Sequence, residues 1–177
     1  MRKSMVMFVA VVALLAPVAA FADTAPTPAQ TASSICKGLQ TQLGATFAKT
    51  YANFGACVKA NQQNANQDVQ NAAKTCKAEQ AASQADPAGF AAAHGGKSFD
   101  QLYGSNTAKG KGADANALGK CVSQHVKQSA QQNVQSPVTA AKTCKALVKS
   151  TPTGFATAFG KGKNAFGKCV KAKGKTA

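Results

Sequence analysis

The feature that most narrows the folds open to this chain is a cysteine-bearing phrase written twice. Ala72 to Ala78 and Ala140 to Ala146 both read AAKTCKA, and Gly119 to Val122 and Gly167 to Val170 both read GKCV. An opening and a closing cysteine therefore recur together, Cys76 with Cys121 and Cys144 with Cys169. A degenerate copy precedes them, with SSICKG around Cys36 and GACV around Cys57. An even number of cysteines in an exported chain favours disulfides over free thiols, and the repetition selects one pairing: Cys36 with Cys57, Cys76 with Cys121, Cys144 with Cys169. Three units follow, at about 32 to 65 (degenerate), 66 to 135 and 136 to 177.

Helical geometry supports pairing within units. From Phe54 the apolar or small residues Cys57, Val58, Ala65, Val69, Ala72 and Cys76 recur near a helical period through proline-free, alanine- and glutamine-rich sequence. One helix there would hold Cys57 and Cys76 about 28 Å apart at ~1.5 Å per residue, beyond disulfide reach. The same test strains unit one. Cys36, Leu39, Leu43, Phe47, Tyr51 and Phe54 share a helical face, and an unbroken helix would separate Cys36 from Cys57 by roughly 30 Å. The pairing requires a break, and Gly44 is the place for it.

Local signals punctuate the rest. Thr27-Pro28-Ala29-Gln30 spells a capping box, and Asp86-Pro87, Ser136-Pro137 and Thr151-Pro152 spell helix starts, so the second junction is expected to be less continuous than the first. Asn116 and Asn164 read as caps for the closing helices. Gly-Lys loops precede these caps, Tyr103 to Gly112 before the first and Phe159 to Asn164 at the second. A strand pattern appears nowhere after the leader. The expected fold is all-α: short disulfide-stapled helical repeats with Gly/Lys-rich loops and no β-sheet.

Composition explains why staples are needed. Leu, Ile, Val and Phe make up about 14% of residues after position 22, below the roughly 20% at which a charged chain tends to disorder. Bridges closing loops of this size contribute roughly 3 to 4 kcal/mol each in the chain-entropy model. The expected apolar complement is Leu39, Leu43, Phe47, Phe90, Phe99, Leu118, Val122, Leu147, Phe155, Phe159 and Phe166.

Residues 1–22 have a secretory layout: Arg2 and Lys3, an apolar run from Met5 to Phe21, and Ala20-Phe21-Ala22 as the cleavage site. Cleavage after Ala22 is expected to leave a secreted, extracellular chain, with 23–31 as a flexible linker and no integral membrane span. The formal net charge is +15 at pH 7, and beyond Lys3 every cation is lysine. Without arginine the chain lacks the fork that clamps carboxylates or reads guanine. Its charge suits undirected attraction to an anionic polymer or surface: cell-wall polymer, acidic polysaccharide, or nucleic acid as one polyanion among several. The expected contact residues are Lys109, Lys111, Lys161 and Lys163 in the loops, with Lys168, Lys171, Lys173 and Lys175 in the tail. The sequence sets no oligomeric state.

The frame C-K-A, then Phe99 to Asn106 (FDQLYGSN), then Asn116 to Ser123 (NALGKCVS), resembles a unit of uncharacterised secreted actinobacterial cysteine-containing repeat proteins. Unit three resembles it too, through Phe155 to Gly160 and Asn164 to Val170. Unit one departs by lacking the Gly-Asn turn. The resemblance implies export and repetition, and assigns no activity.

Catalytic patterns are weak. Gly162 to Cys169 nearly spells a phosphate-binding loop, but a cysteine replaces the magnesium-binding hydroxyl and no strand precedes it. His94 and His125 form no triad, and neither is spaced in sequence to join the cysteines as a zinc ligand. Lysines adjoin most of the cysteines, which would suit redox chemistry, but sequence neighbours on a helix face different ways. The expectation is a non-enzymatic protein with no catalytic residue, metal or cofactor. Two alternatives stand beside polyanion binding: a purely structural extracellular module whose lysines confer solubility, and a cationic membrane-active or antimicrobial protein.

Overall fold

A computed structural model of the chain describes residues 25–104, 116–162 and 164–174. Among these the regular structure is helical throughout, with no strand. α1 (Pro28–Leu43) opens on the expected capping box: Thr27 Oγ1 accepts from Gln30 N at 3.2 Å, and Gln30 Oε1 accepts from Thr27 N at 2.8 Å. It stops at Gly44, whose φ of 53° is a conformation glycine tolerates at little cost. A 3-10 turn over Gly44–Thr46 leads into the single turn of α2 (Phe47–Thr50). Tyr51 is extended, and Asn53 Oδ1 accepts from Ala56 N at 2.8 Å to launch α3 (Phe54–Ala85). The reversal brings Cys57 beside Cys36, with Cα atoms 5.9 Å apart.

Unit two contains α4 (Pro87–Ala93) and α5 (Phe99–Tyr103), capped by Asp86 and Ser98. α6 (Ala117–Ser150), α7 (Pro152–Phe159) and α8 (Ala165–Gly174) complete the chain. The remaining bridges are Cys76–Cys121 and Cys144–Cys169. All six cysteines are fully buried, so sulfur fills space that a conventional core gives to leucine.

α3 and α6 form an antiparallel spine. Cys76 is bonded to Cys121, and further along Asn133 Nδ2 donates to Asp68 Oδ2 at 2.6 Å, so numbers fall on one helix as they rise on the other. α1 lies along both, with Gly38 against Val134 of α6. α8 returns along α6, bridged at Cys144 and ending with Gly174 against Ala140 and Pro137. Two cores result. The first joins units one and three with the last residues of unit two: Ile35, Cys36, Leu39, Leu43, Phe47 and Cys57 with Val134, Val138, Cys144, Cys169 and Val170. The second belongs to unit two: Ala72, Cys76, Phe90, Phe99, Cys121, Val122 and Val126. Of the expected apolar residues, Leu118, Leu147, Phe155, Phe159 and Phe166 are only partly buried and line the core margins.

Several sequence expectations need correction. Ser136-Pro137 does not start a helix; α6 runs through Pro137 without interruption. Proline removes one ladder hydrogen bond there, but Val134, Val138, Ala140 and Ala141 are buried on both sides of it, and tertiary packing keeps the halves in line. The boundaries drawn near 65 and 135 therefore fall inside α3 and α6. α1 begins at Pro28, within the stretch read as a flexible linker, and Ala25 already packs against the second core. Asn116 stands at the start of α6 with helical backbone angles (φ −112°, ψ −2°) and makes no capping bond, because that function needs the extended geometry seen at Asn53 and Ser98.

Candidate functional site

Two places on the molecule concentrate chemistry. The first is the end where units one and three meet. The acidic residues of the whole chain are Asp23, Asp68, Glu79, Asp86, Asp100 and Asp114, so residues 24–67 and 115–177 contain none. The fold packs residues 35–57 and 130–170 of those segments onto one core, while residues 117–126 join the second core beside Glu79. Lys37 on α1, Lys49 on α2, Lys59 on α3, Lys142, Lys145 and Lys149 on α6, Lys161 in the turn after α7, and Lys168, Lys171 and Lys173 on α8 are all exposed. Lys142, Lys145 and Lys149 stand three and four residues apart and form a stripe. Every described acid lies between Asp68 and Asp100 in sequence; Glu79 borders the second core, and Asp68 pairs with Asn133 at the margin of the first. Of the lysines expected to contact polyanions, Lys161, Lys168, Lys171 and Lys173 sit at this end, while Lys109, Lys111, Lys163 and Lys175 lie outside the described residues.

The second place is the face of the unit-two bridge. Glu79, one turn after Cys76, accepts a hydrogen bond from Tyr103 Oη on Oε2 at 2.8 Å, and its Oε1 lies 3.3 Å from His125 Nε2. Oε2 is also 3.8 Å from Cys121 Sγ. Partial burial, then the hydrogen bond to Glu79 and its negative charge, push the Tyr103 phenol up to about 12. The ligand atoms of Cys76, Cys121 and His125 fall within 4.8 Å of one another. Sequence spacing had set His125 apart from the cysteines; the helical turn on α6 and the α3–α6 crossing bring it to them. With both sulfurs in a disulfide, no thiolate is present to act as nucleophile or metal ligand in this state. His94 stacks on Phe90, with centroids 4.1 Å apart, in a structural role.

Glu79 was missed by the sequence reading, although the repeat carries a signal for it. The third residue after the opening cysteine is Leu39 in unit one and Leu147 in unit three, and only unit two places an acid there. Elsewhere burial raises the Tyr51 phenol, with a hydrogen bond from Asn61 opposing, and raises the Asp68 carboxyl, with Asn133 opposing. A groove of about 730 Å³ between α1 and α6, flanked by Lys37 and Lys127, has no acid in its lining. No described helix is long and apolar enough to cross a membrane. Comparison with protein families, with curated proteins and with solved structures gives no match.

Proposed function

We propose that this is a secreted, non-enzymatic protein built from stapled helical repeats, which binds anionic polymers of the cell envelope or its surroundings through lysines. One observation carries the proposal: residues 35–57 and 130–170, far apart in sequence and without an acid, share one core whose helices bear exposed lysines on α1, α2, α3, α6 and α8. Interspersed acids would cancel such a field at short range, and their segregation leaves it intact. Lysine without arginine fits a polymer met through its charge density rather than through a fixed bidentate geometry. Three buried bridges fit export to an oxidising compartment, as do the leader-like residues 1–22.

Retention of the oxidised mature protein on immobilised heparin and on wall polymer tests this. Each lysine–anion contact contributes about 0.7 to 0.9 to the slope of log affinity against log salt. Lys142→Gln, Lys145→Gln and Lys168→Gln together are expected to flatten that slope by about 2 to 3. Lys74→Gln, Lys97→Gln and Lys120→Gln remove the same charge from the elements around the second core, where Glu79 lies, and are expected to flatten it by less than about 1. Equal losses would mean diffuse attraction with no site, and no retention at low salt would dismiss polyanion binding.

A further inference from the structure

Each unit presents two side chains over its bridge: the third residue after the opening cysteine and the fourth after the closing one, each a helical turn along and so on the cysteine's own face. In unit one these are Leu39 and Asn61, in unit three Leu147 and Lys173, in unit two Glu79 and His125. Asn61 shows what the closing position reaches: its Nδ2 donates to Cys57 O at 2.9 Å and lies 3.5 Å from Cys57 Sγ and 3.7 Å from Cys36 Sγ. Leu39 shows the nature of the opening position, being fully buried. Unit two puts a carboxylate at this position, and Tyr103 donates to it. Only this unit surrounds its two sulfurs with an imidazole and a carboxylate.

The geometry points to a redox-gated zinc site in unit two. When a dithiol reductant opens Cys76–Cys121, the two thiolates, a ring nitrogen of His125 and a carboxylate oxygen of Glu79 bind one Zn²⁺. The reductant supplies two electrons and two protons to the disulfide and leaves as its own disulfide; zinc then displaces the two thiol protons into solvent. A tetrahedral zinc with bonds of ~2.0 to 2.3 Å has ligand-to-ligand edges of about 3.3 to 3.8 Å. His125 Nε2 lies 3.3 Å from one Glu79 oxygen, Oε1, and Cys121 Sγ 3.8 Å from the other, Oε2, so a turn of the carboxylate brings one oxygen to both. The Cys76, Cys121 and His125 ligand atoms are already grouped within 4.8 Å. The movements required are separation of the two bonded sulfurs and that turn of the Glu79 carboxylate, which side-chain rotation on α3 and α6 allows. Thiolate and imidazole select zinc over magnesium or calcium. Tyr103, donating to Glu79, is the outer partner that holds the carboxylate.

The test uses the full mature chain, reduced with a phosphine under argon and titrated with Co²⁺ and then Zn²⁺. One cobalt per chain is expected, with tetrahedral d–d bands and a thiolate-to-cobalt band, all erased by zinc. Glu79→Gln and His125→Ala are each expected to weaken binding at least about 10-fold, whereas Asn61→Ala, at the matching place in unit one, leaves it unchanged. Less than one metal per chain overturns the site, as does equal binding by the His125→Ala and Glu79→Gln variants or by a Cys76→Ser, Cys121→Ser double variant. If reduction melts the helices, zinc must restore the helical circular dichroism of the wild type and not of His125→Ala; failure there overturns the site equally. Polymer retention is measured on the oxidised protein, so the two outcomes are independent.

Discussion

Gly38→Ala is the perturbation that probes the tertiary arrangement most directly. Gly38 lies in the interior of α1, where alanine is favoured over glycine by about 1 kcal/mol through helix propensity alone. A Cβ at this position would lie 3.0 Å from Cγ2 and 3.6 Å from Cγ1 of Val134 on α6. Val134 is 7% exposed and β-branched within a helix, so its χ1 has one strongly preferred setting and little room to yield. Overpacking of this kind costs about 1 to 3 kcal/mol, which outweighs the propensity gain, and Gly38→Ala is expected to destabilise the protein by ~1 kcal/mol. Val134→Ala alone is expected to cost about 2 kcal/mol for the lost methyl burial and the cavity left behind. In the Val134→Ala background the three closest atoms recede or vanish, the new Cβ occupies part of the cavity, and Gly38→Ala is expected to become stabilising by about 1 kcal/mol. Urea unfolding followed by circular dichroism, bridges intact, reads all four corners of the cycle. If Gly38→Ala stabilises both backgrounds equally, α1 does not cross α6 at this point, and the packing of unit one onto α6 that builds the first core is refuted.

The bridges differ in the loops they close, with sequence separations of 21, 45 and 25. In the chain-entropy model, replacing both cysteines by alanine is expected to cost about 3.3 kcal/mol for Cys36–Cys57, about 4 for Cys76–Cys121 and about 3.5 for Cys144–Cys169; denaturant midpoints that rank unit two as the mildest loss would contradict a loop-closure origin. Tyr103 has a folded pKa raised to about 12, so its contribution to stability is fully present below the unfolded value of about 10 and is lost as pH rises through about 12. In a Tyr51→Phe background, phenolate absorbance is expected to develop well above pH 10 and to shift down on Glu79→Gln; an unshifted titration would mean that Glu79 does not hold the phenol.

Much of the helix map was legible because it is set by local chemistry. Thr27 with Gln30, Asp86-Pro87 and Thr151-Pro152 satisfy or remove the orphan N–H groups of a first turn within a few residues of chain, so they act wherever the helix later packs. Gly44 ends α1 for a similarly local reason. Pro137 misled because its penalty is local while the compensating burial of Val134, Val138 and Ala141 comes from α1 and α8. Glu79 was hidden among scattered acids, and its partners Tyr103 and His125 reach it from α5 and α6. The lysine clusters were visible, but the reach of the field was not, since it depends on which segments become neighbours.

By itself the sequence determined an all-helical chain whose few apolar residues require sulfur bridges, and the repeated cysteine phrases named the partners, because a helix rises too far per residue for any bridge along its own length. The tertiary structure alone decided that units one and three share one core with the last residues of unit two, leaving the rest of unit two with its own. Periodicity tells which face of a helix is buried, not which other helix buries it. That choice depends on side chains meeting across long sequence separations, Gly38 on Val134 and Asp68 on Asn133 among them, and it is the choice that gathers residues 35–57 and 130–170 onto one core and sets an imidazole and a carboxylate beside one disulfide.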